Sequence, residues 1–330
     1  ERCLRVTTGV SASWSKKASS KCLPSGVLVR KRLFSAPLDP GFYMSAPLPT
    51  NSSSFGDFCL DSRIQDALAG QGFETPTKIQ AEAIPALLDG HDVIGRSRTG
   101  SGKTAAFALP ALERIKDGAK GARVLVLAPT RELAIQVHDA VKTFSKGLPI
   151  RTACIYGGAS YGPQLRDLKS GAQFIVATPG RLMDHMDRGS IDLSGIEVVV
   201  LDEADEMLRM GFIEAVEEIL SATPSDRQVC LFSATMPKAI RAVADTHLTN
   251  PVEIQVEATG LSTDHIVQRW MMVPIRERLK TLVRILQTEE RGAVLIFAKT
   301  RRDCAELADG LGRAGVAADA LHGALNQAAR

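Results

Sequence analysis

Short apolar runs alternate with longer amphipathic segments from Phe55 onward. In the segment 131–144, for example, Val137, Val141 and Phe144 recur at a helical period. Strands that alternate with helices in this way predict an α/β fold, in which a parallel sheet carries helices on both faces. The six apolar runs are 93–94, 123–128, 150–156, 173–177, 197–201 and 229–232.

A hydrophilic stretch at 257–264 interrupts this pattern, and a second, shorter series of elements follows it. We therefore predict a first lobe at 55–258, a linker at 259–264 and part of a second lobe at 265–330. In the second lobe the pattern predicts strands at 265–273, 293–298 and 317–322, and helices at 276–287 and 301–314.

The first 54 residues differ from the rest of the chain, since they are rich in Ser and Pro and poor in hydrophobic periodicity. We expect them to be disordered. Translation could begin at Met44, with the upstream residues a translated leader; an organellar transit peptide is the alternative. A third possibility is that the basic clusters at 16–17 and 30–32 are RNA-binding arms.

Charge is distributed unevenly along the 330 residues. The segment 1–54 holds eight Lys or Arg against Glu1 and Asp39, whereas the remainder holds 32 basic against 35 acidic residues. Nucleic-acid binding therefore cannot be inferred from the net charge of +3 and would need local basic residues on particular loops.

Composition excludes some classes of protein. Hydrophobic residues make up 45% of the chain, enough for the cores of two ordinary domains. No apolar run approaches the length of a bilayer span, which disfavours a membrane protein, and we expect a cytoplasmic location unless the first 43 residues direct the chain to an organelle. The six cysteines form no metal-binding pattern and are expected to be reduced, mostly structural thiols.

Two motifs supply the parts of a nucleotide-hydrolysing site. The segment 97–104, SRTGSGKT, offers backbone N–H groups for phosphate, a charge from Lys103 and a hydroxyl from Thr104 that can reach Mg²⁺. The segment 202–205, DEAD, follows an apolar strand: Asp202 would complete the magnesium site, and Glu203 would orient or activate the attacking water.

Other predicted strands also end in unusual loops. PTRELA follows 123–128, two glycines follow 150–156, TPGR follows 173–177 and SAT follows 229–232. Because ligands bind beyond the carboxyl ends of the strands in open α/β sheets, six such loops are expected to converge on one rim.

The ordered set of motifs resembles that of the DEAD-box ATP-dependent RNA helicases, and the likeness runs from Phe55 to Arg330. It implies a RecA-like lobe followed by a partial second RecA-like lobe. Segment 72–80, GFETPTKIQ, resembles the family's adenine-reading Q motif, so that Phe73 would stack on adenine while Thr75 and Gln80 bond its edge. The resemblance assigns ATP to Phe55, Phe73, Thr75, Gln80, Ser97, Thr99, Gly100, Ser101, Gly102, Lys103 and Thr104.

The same resemblance links Asp205 to Ser233 and Thr235 as the contact that couples hydrolysis to RNA binding. The candidate RNA contacts are Pro129, Thr130, Arg131, Gly157, Gly158, Thr178, Gly180, Arg181, Thr300, Gln327 and Arg330. Such groups bind phosphate and sugar of single-stranded or duplex RNA without reading bases. Few aromatic residues accompany them, so base stacking is not predicted.

The resemblance thus implies an ATP-dependent RNA helicase that uses Mg²⁺. Because the chain ends before the family's arginine-finger motifs, we expect it to bind ATP and Mg²⁺ but to hydrolyse ATP poorly. A non-catalytic ATP/RNA clamp and a DNA translocase on the same scaffold are the alternatives.

Overall fold

The computed structural model describes residues 4–7, 54–98, 100–256, 268–288 and 294–325. They belong to two compact units, one of Pro47–Thr259 and one of Glu1–Ala46 together with Gly260–Arg330. The predicted linker at 259–264 and three predicted site residues lie outside the described residues: Thr99, Gln327 and Arg330.

The first unit is built on a seven-stranded sheet. Its strands are β2 Val93–Arg96, β3 Val124–Leu127, β4 Thr152–Ile155, β5 Phe174–Ala177, β6 Val198–Leu201, β7 Gln228–Ser233 and β8 Val252–Gln255. Their order in the sheet is β4-β5-β3-β6-β7-β2-β8, and every neighbouring pair is parallel. In register, Val124 of β3 lies between Phe174 of β5 and Val198 of β6.

Nine α-helices of this unit are described, and a 3-10 helix at Phe55–Asp57 precedes them. Their bounds are α1 Ser62–Gly70, α2 Lys78–Leu88, α3 Lys103–Arg114, α4 Arg131–Phe144, α5 Tyr161–Lys169, α6 Pro179–Asp187, α7 Ala204–Arg209, α8 Ile213–Ser221 and α9 Lys238–His247.

Alternate residues of strands β2 to β7 belong to two separate cores, one on each face of the sheet. On β3, Val124 and Val126 pack into a core shared with α1 to α4, whereas Leu125 and Leu127 pack into a core shared with α6 to α9. Strands buried on both faces must be apolar throughout, which explains the uninterrupted VLVL sequence of β3. The prediction of a RecA-like parallel sheet with helices on both faces is confirmed.

Strand β8 is the element of this sheet that the hydrophobic pattern did not predict. It pairs with β2, and Val93 lies opposite Val252. Of its four residues only Ile254 is buried, because β8 is an edge strand with one well-covered position. An edge strand of this kind lacks the continuous apolar run that identified its six neighbours.

The second unit contains a two-stranded antiparallel sheet and two helices among the described residues. Strand β9, Gln268–Met271, pairs with β1, Leu4–Thr7. A 3-10 helix at Ile275–Glu277 leads into α10, Arg278–Thr288, and α11 spans Arg301–Arg313. The prediction of helices at 276–287 and 301–314 is therefore confirmed.

Helices α10 and α11 pack on each other, and each has one buried leucine, Leu282 in α10 and Leu311 in α11. Gly310 allows their close approach, since a Cβ atom there would lie 2.8 Å from Cδ2 of Leu279.

Two strand predictions in this unit are wrong, and one prediction of disorder needs correction. The described residues 294–298 and 317–322 are not strands: Leu295 and Phe297 are 73% and 88% exposed, and an apolar run becomes a strand only beside a partner backbone. Leu4–Thr7, expected to be disordered, is a strand, in keeping with its period-two alternation of apolar and polar residues.

Candidate functional site

The loop between β2 and α3 has a backbone that only glycine adopts without strain at two positions. Gly100 and Gly102 have φ values of 83° and 93°. At Gly102 there is also no room, because a Cβ atom would lie 2.5 Å from Nε2 of Gln80. Ser97, where a strict phosphate-loop pattern has glycine, accepts a hydrogen bond from Ser101 Oγ at 3.0 Å. In its described residues the loop therefore has a tight, glycine-dependent turn, and its binding of phosphate stays a prediction.

Helix α3 begins at Lys103, directly after this loop, so its free N–H groups face the same space. Lys103 is only 6% exposed, and its Nζ lies 3.9 Å from Oδ1 of Asp202, at the end of β6. Neither atom has a hydrogen-bond partner within the described part of the chain. A buried, unsatisfied cation and carboxylate are costly, which indicates a site shaped for a further charged ligand.

Burial raises the pKa of Asp202 to about 6, and the positive charge of Lys103 opposes this rise. The carboxylate is therefore held in a poorly solvated place where a cation would stabilise its charged form.

The chemistry of these residues fits Mg²⁺ with a nucleotide. No cluster of three or more His, Cys, Asp or Glu that could hold a metal occurs within the described ranges. Mg²⁺ commonly takes one or two protein oxygens and completes its shell with water and substrate phosphates. Asp202 and the hydroxyl of Thr104, the second residue of α3, stay the predicted protein ligands for such an ion.

Glu203 has a left-handed backbone, with φ 53° and ψ 52°, at the start of α7. Non-glycine residues rarely adopt this conformation, and where they do the strain is often linked to a functional site. The turn places Glu203 immediately after Asp202 at the carboxyl end of β6. Its role toward a water molecule stays a prediction.

Asp205 is joined to the loop after β7 by several hydrogen bonds. Its Oδ2 accepts from the backbone N–H of Thr235 at 3.0 Å and from Thr235 Oγ1 at 2.7 Å, while its own N–H donates to Ser233 Oγ at 3.2 Å. The backbone N–H of Ser97 donates to the carbonyl oxygen of Ser233 at 3.2 Å. The SAT loop therefore contacts both the phosphate loop and α7.

The Q-motif segment is hydrogen-bonded to the phosphate loop. Gln80 accepts a hydrogen bond from the N–H of Thr77 at 2.8 Å and donates from Nε2 to the carbonyl oxygen of Gly102 at 3.0 Å. Thr77 Oγ1 donates to the carbonyl oxygen of Ser101 at 2.9 Å. Thr77 is not among the site residues predicted from the sequence, although the pattern T-x-x-Q at a helix start is that of a capping box.

Phe73 of this segment makes edge-to-face contacts with two rings from other parts of the unit. The ring of Phe73 lies 5.9 Å from that of Phe55 and 5.8 Å from that of Phe144. Phe73 is 37% exposed and remains able to contact a base, whereas Phe55 is buried in the core at 4% exposure. Thr75 is exposed nearby in the sequence.

The loops predicted to bind RNA follow β4, β5 and β3, which are adjacent in the sheet. Gly157 and Gly158 follow β4, and the guanidinium of Arg131, after β3, occupies the space where a Cβ atom of Gly158 would lie. The loops that carry the nucleotide motifs follow β6, β7 and β2. The rim of the sheet therefore has two halves, a predicted RNA half after β4, β5 and β3 and a predicted nucleotide half after β6, β7 and β2. The RNA half also contains Pro129, Thr130, Thr178 and Gly180.

A model of the family described as "DEAD/DEAH box helicase" matches residues 77–243, just over half of the chain. The chain belongs to the DEAD/DEAH box helicase family. The matched region includes the phosphate loop, the DEAD tetrad and the SAT loop, whose geometry is given above.

Named helicases of this family are similar over most of the chain. The chain is 46% identical to the ATP-dependent RNA helicase DeaD of Escherichia coli (strain K12) over 279 residues, 84% of the chain and 44% of that protein. It is 43% identical to the DEAD-box ATP-dependent RNA helicase CshA of Bacillus subtilis (strain 168) over 277 residues, 84% of the chain and 56% of that protein. The chain thus spans about half the length of these relatives.

A solved structure of the family has the same fold. The crystal structure of a DEAD box protein from the hyperthermophile Methanococcus jannaschii matches with a TM-score of 0.60 and 41% identity, covering 83% of this chain and 74% of that one.

In the second unit of this DEAD-box protein, Thr300 caps α11, because its Oγ1 accepts a hydrogen bond from the N–H of Asp303 at 3.0 Å. Thr130 caps α4 in the same way through Leu133. These two threonines, both predicted to contact RNA, therefore share one local structure in the two units.

None of the helices described is long and apolar enough to cross a bilayer.

Proposed function

We propose that this chain is the ATP-binding lobe and the beginning of the second lobe of an ATP-dependent RNA helicase. The observation that carries the proposal is the buried pair of Lys103 and Asp202, whose unsatisfied atoms lie 3.9 Å apart beside a loop with two left-handed glycines. No structural need accounts for such a pair, whereas a triphosphate would satisfy Lys103 and a divalent cation would satisfy Asp202.

Each residue of the nucleotide half has a role that its position supports. The N–H groups at the start of α3 and the charge of Lys103 bind and orient the phosphates. Bound Mg²⁺ would neutralise charge on the phosphate oxygens, and Thr104 and Asp202 are the residues that would hold it. Glu203 holds and polarises the attacking water, and Phe73, which is partly exposed, receives the adenine.

The other half of the rim is the proposed RNA site. Its glycines, threonine hydroxyls and Arg131 suit the phosphate and sugar groups of a single strand rather than base edges. This arrangement supports binding without sequence preference and with a marked dependence on salt. Thr300, Gln327 and Arg330 are proposed to contact the same strand from the second unit.

The SAT loop is proposed to couple the two halves. Asp205 connects α7 to Thr235, and Ser233 connects the same loop to Ser97 of the phosphate loop. These bonds connect the SAT loop to both nucleotide motifs, and we propose that a change at the phosphates passes through this loop to the RNA half. Closure of the two lobes over RNA would complete the catalytic site, a general route to substrate-stimulated turnover. The chain as given is proposed to bind ATP with Mg²⁺ and RNA but to turn over little.

The test is an ATPase measurement with and without single-stranded RNA, on this chain and on a form extended past Arg330. We expect RNA to stimulate the extended form and Glu203→Gln to abolish most of that turnover. An extended form without stimulation, or an unchanged rate in Glu203→Gln, would contradict the proposal. Parallel assays with DNA of the same sequence distinguish an RNA helicase from a DNA translocase, since equal activity on both would favour the translocase.

A further inference from the structure

Arg181 stands apart from the other residues of the proposed RNA site because its side chain is almost completely buried. It is 9% exposed, and its guanidinium lies over the ring of Tyr161 at 4.1 Å from the ring centroid. Arg188, by contrast, lies over the same ring at 4.5 Å and is exposed. A guanidinium in this position has little surface left with which to meet a phosphate.

Nη1 of Arg181 is directed at the protein itself, whereas its buried Nε has no hydrogen-bond partner within the described part of the chain and faces a carboxylate instead. Nη1 donates to the carbonyl oxygen of Ala159 at 3.1 Å and to Oε1 of Gln164 at 3.3 Å. Nε lies 3.6 Å from Oδ2 of Asp184, which also accepts a hydrogen bond from the hydroxyl of Tyr161 at 2.8 Å. Since Ala159 directly follows Gly157 and Gly158, Arg181 connects the loop after β5 to the loop after β4.

A second layer holds Gln164 in place. Gln164 is 4% exposed and donates from Nε2 to the carbonyl oxygen of Tyr156 at 3.1 Å, at the start of the glycine loop. Its Oε1 also lies 3.2 Å from Nε2 of His185. Because an amide oxygen can only accept, the imidazole Nε2 donates this bond.

His185 is completely buried, and its Nδ1 lies 2.7 Å from Oγ of Ser190. The Ser190 hydroxyl donates to the carbonyl oxygen of His185 at 2.9 Å. Burial lowers the pKa of His185, which favours the neutral imidazole with its proton at Nε2. Both imidazole nitrogens and both ends of the Gln164 amide thus lie against polar atoms of the protein. Buried hydrogen-bond networks of this kind rigidify the segments that they connect.

We infer that Arg181, supported by Gln164 and His185, is a positioning residue that fixes the Gly157–Gly158 loop for RNA, and that it is not a phosphate contact. The inference rests on the proposed function, because it assigns a role within the proposed RNA site. It also predicts that Tyr161, covered by two guanidinium groups, does not stack on a base.

Salt dependence separates the two roles. Loss of a phosphate contact weakens binding and also lowers the slope of log affinity against log salt, by about 0.7 per contact for single strands. Loss of a positioning residue weakens binding but leaves the number of released counterions, and so the slope, unchanged. Binding of a labelled single-stranded oligouridylate RNA to this chain, titrated with KCl from low salt, measures both quantities.

We expect Arg181→Gln, Arg181→Lys and Gln164→Met each to weaken RNA binding about tenfold, the effect of losing one or two hydrogen bonds, with the wild-type slope retained. Lysine keeps the charge but cannot form the guanidinium's paired bonds or its stacking. Arg131→Gln is the matched phosphate-contact variant and should lower the slope. Lys169→Gln removes an exposed cation of the same lobe and should change neither quantity.

Hydrogen exchange provides a second readout that does not require RNA. In Gln164→Met the amides of residues 157–159 should exchange faster, while those of the phosphate loop keep their rates. A lower slope for Arg181→Gln, wild-type affinity for Arg181→Lys, or unchanged exchange at 157–159 in Gln164→Met would overturn the inference. If the wild type bound no RNA while exchange at 157–159 still rose, the proposed function would fail and the positioning role of the network in the fold would remain.

Discussion

The side chain of Gln80 donates a hydrogen bond from Nε2 to the carbonyl oxygen of Gly102, across 3.0 Å. Gln80 lies at the start of α2 and Gly102 lies immediately before α3, so this contact joins the proposed adenine-binding segment to the phosphate loop. The two parts of the proposed ATP site are thereby held as one structure before a nucleotide arrives.

Gln80→Leu removes this bond and the one that Gln80 accepts from Thr77. Each contributes about 1 kcal/mol, so ATP affinity should fall at least about tenfold. Titration with a fluorescent ATP analogue measures the change. Gln71→Leu, an exposed glutamine at the end of α1, is the control and should bind ATP like the wild type. Equal affinities for Gln80→Leu and wild type would show that the bond to Gly102 does not organise the site.

Gly102→Ala should be more damaging than Gly100→Ala. Both glycines have a left-handed backbone, which costs an L-residue about 1–2 kcal/mol. At Gly102 the new methyl group would also displace the Gln80 amide, whereas the space around Gly100 is open. We expect lower ATP affinity and a lower Tm for Gly102→Ala than for Gly100→Ala. Identical effects would mean that strain alone acts and that the close approach of Gln80 is unimportant.

Asp205 predicts a specific loss of stability in acid. Its burial favours a raised pKa, but the hydrogen bonds from Thr235 and Ser233 outweigh that effect and lower the pKa below 3.8. A carboxylate with a lowered folded-state pKa contributes stability above its unfolded pKa and loses it as the pH falls through the folded value. The Tm difference between wild type and Asp205→Asn should thus be largest near neutral pH and shrink below about pH 4.

The control for this acid effect is Asp187→Asn, at an exposed position of α6. Its Tm should follow that of the wild type across the same pH range. A wild-type advantage over Asp205→Asn that persists undiminished at low pH would contradict the assignment of the pKa shift to the SAT-loop hydrogen bonds.

Cysteine reactivity should follow burial. Burial raises the pKa of Cys154 to about 12 and that of Cys230 further, so neither forms much thiolate at pH 8. Cys59 is exposed. In a variant with serine at Cys3 and Cys22, a thiol reagent followed by mass spectrometry should modify Cys59 first and leave Cys154 and Cys230 unmodified until unfolding. Early modification of Cys230 would contradict the described core.

The sequence predicts the central sheet well for a definite physical reason. A parallel strand buried on both faces must be apolar at every position, and Val124–Leu127 and Val198–Leu201 show this directly. Val252–Gln255 was missed because an edge strand needs only Ile254 inside. The apolar run around Leu295 and Phe297 misled in the opposite direction, since hydrophobicity does not supply a neighbouring strand.

The site shows the same division between local and non-local information. Loop chemistry after each strand identified the residues of the rim, because strand ends fix where loops begin. Sequence did not indicate that Arg181 is buried against Tyr161 or that Gln80 reaches Gly102, since these contacts depend on how α6 and α2 pack. Thr77 could have been found from its capping-box pattern alone.

The most direct test of the nucleotide site is the affinity of this chain for a fluorescent ATP analogue with Mg²⁺, compared between wild type and Lys103→Met. Lys103 contributes a buried charge-assisted contact, so we expect the affinity to fall about 100-fold. The double variant Lys103→Met with Asp202→Asn should keep the wild-type Tm and still fail to bind, which excludes unfolding as the cause. Wild-type affinity in Lys103→Met would contradict the account.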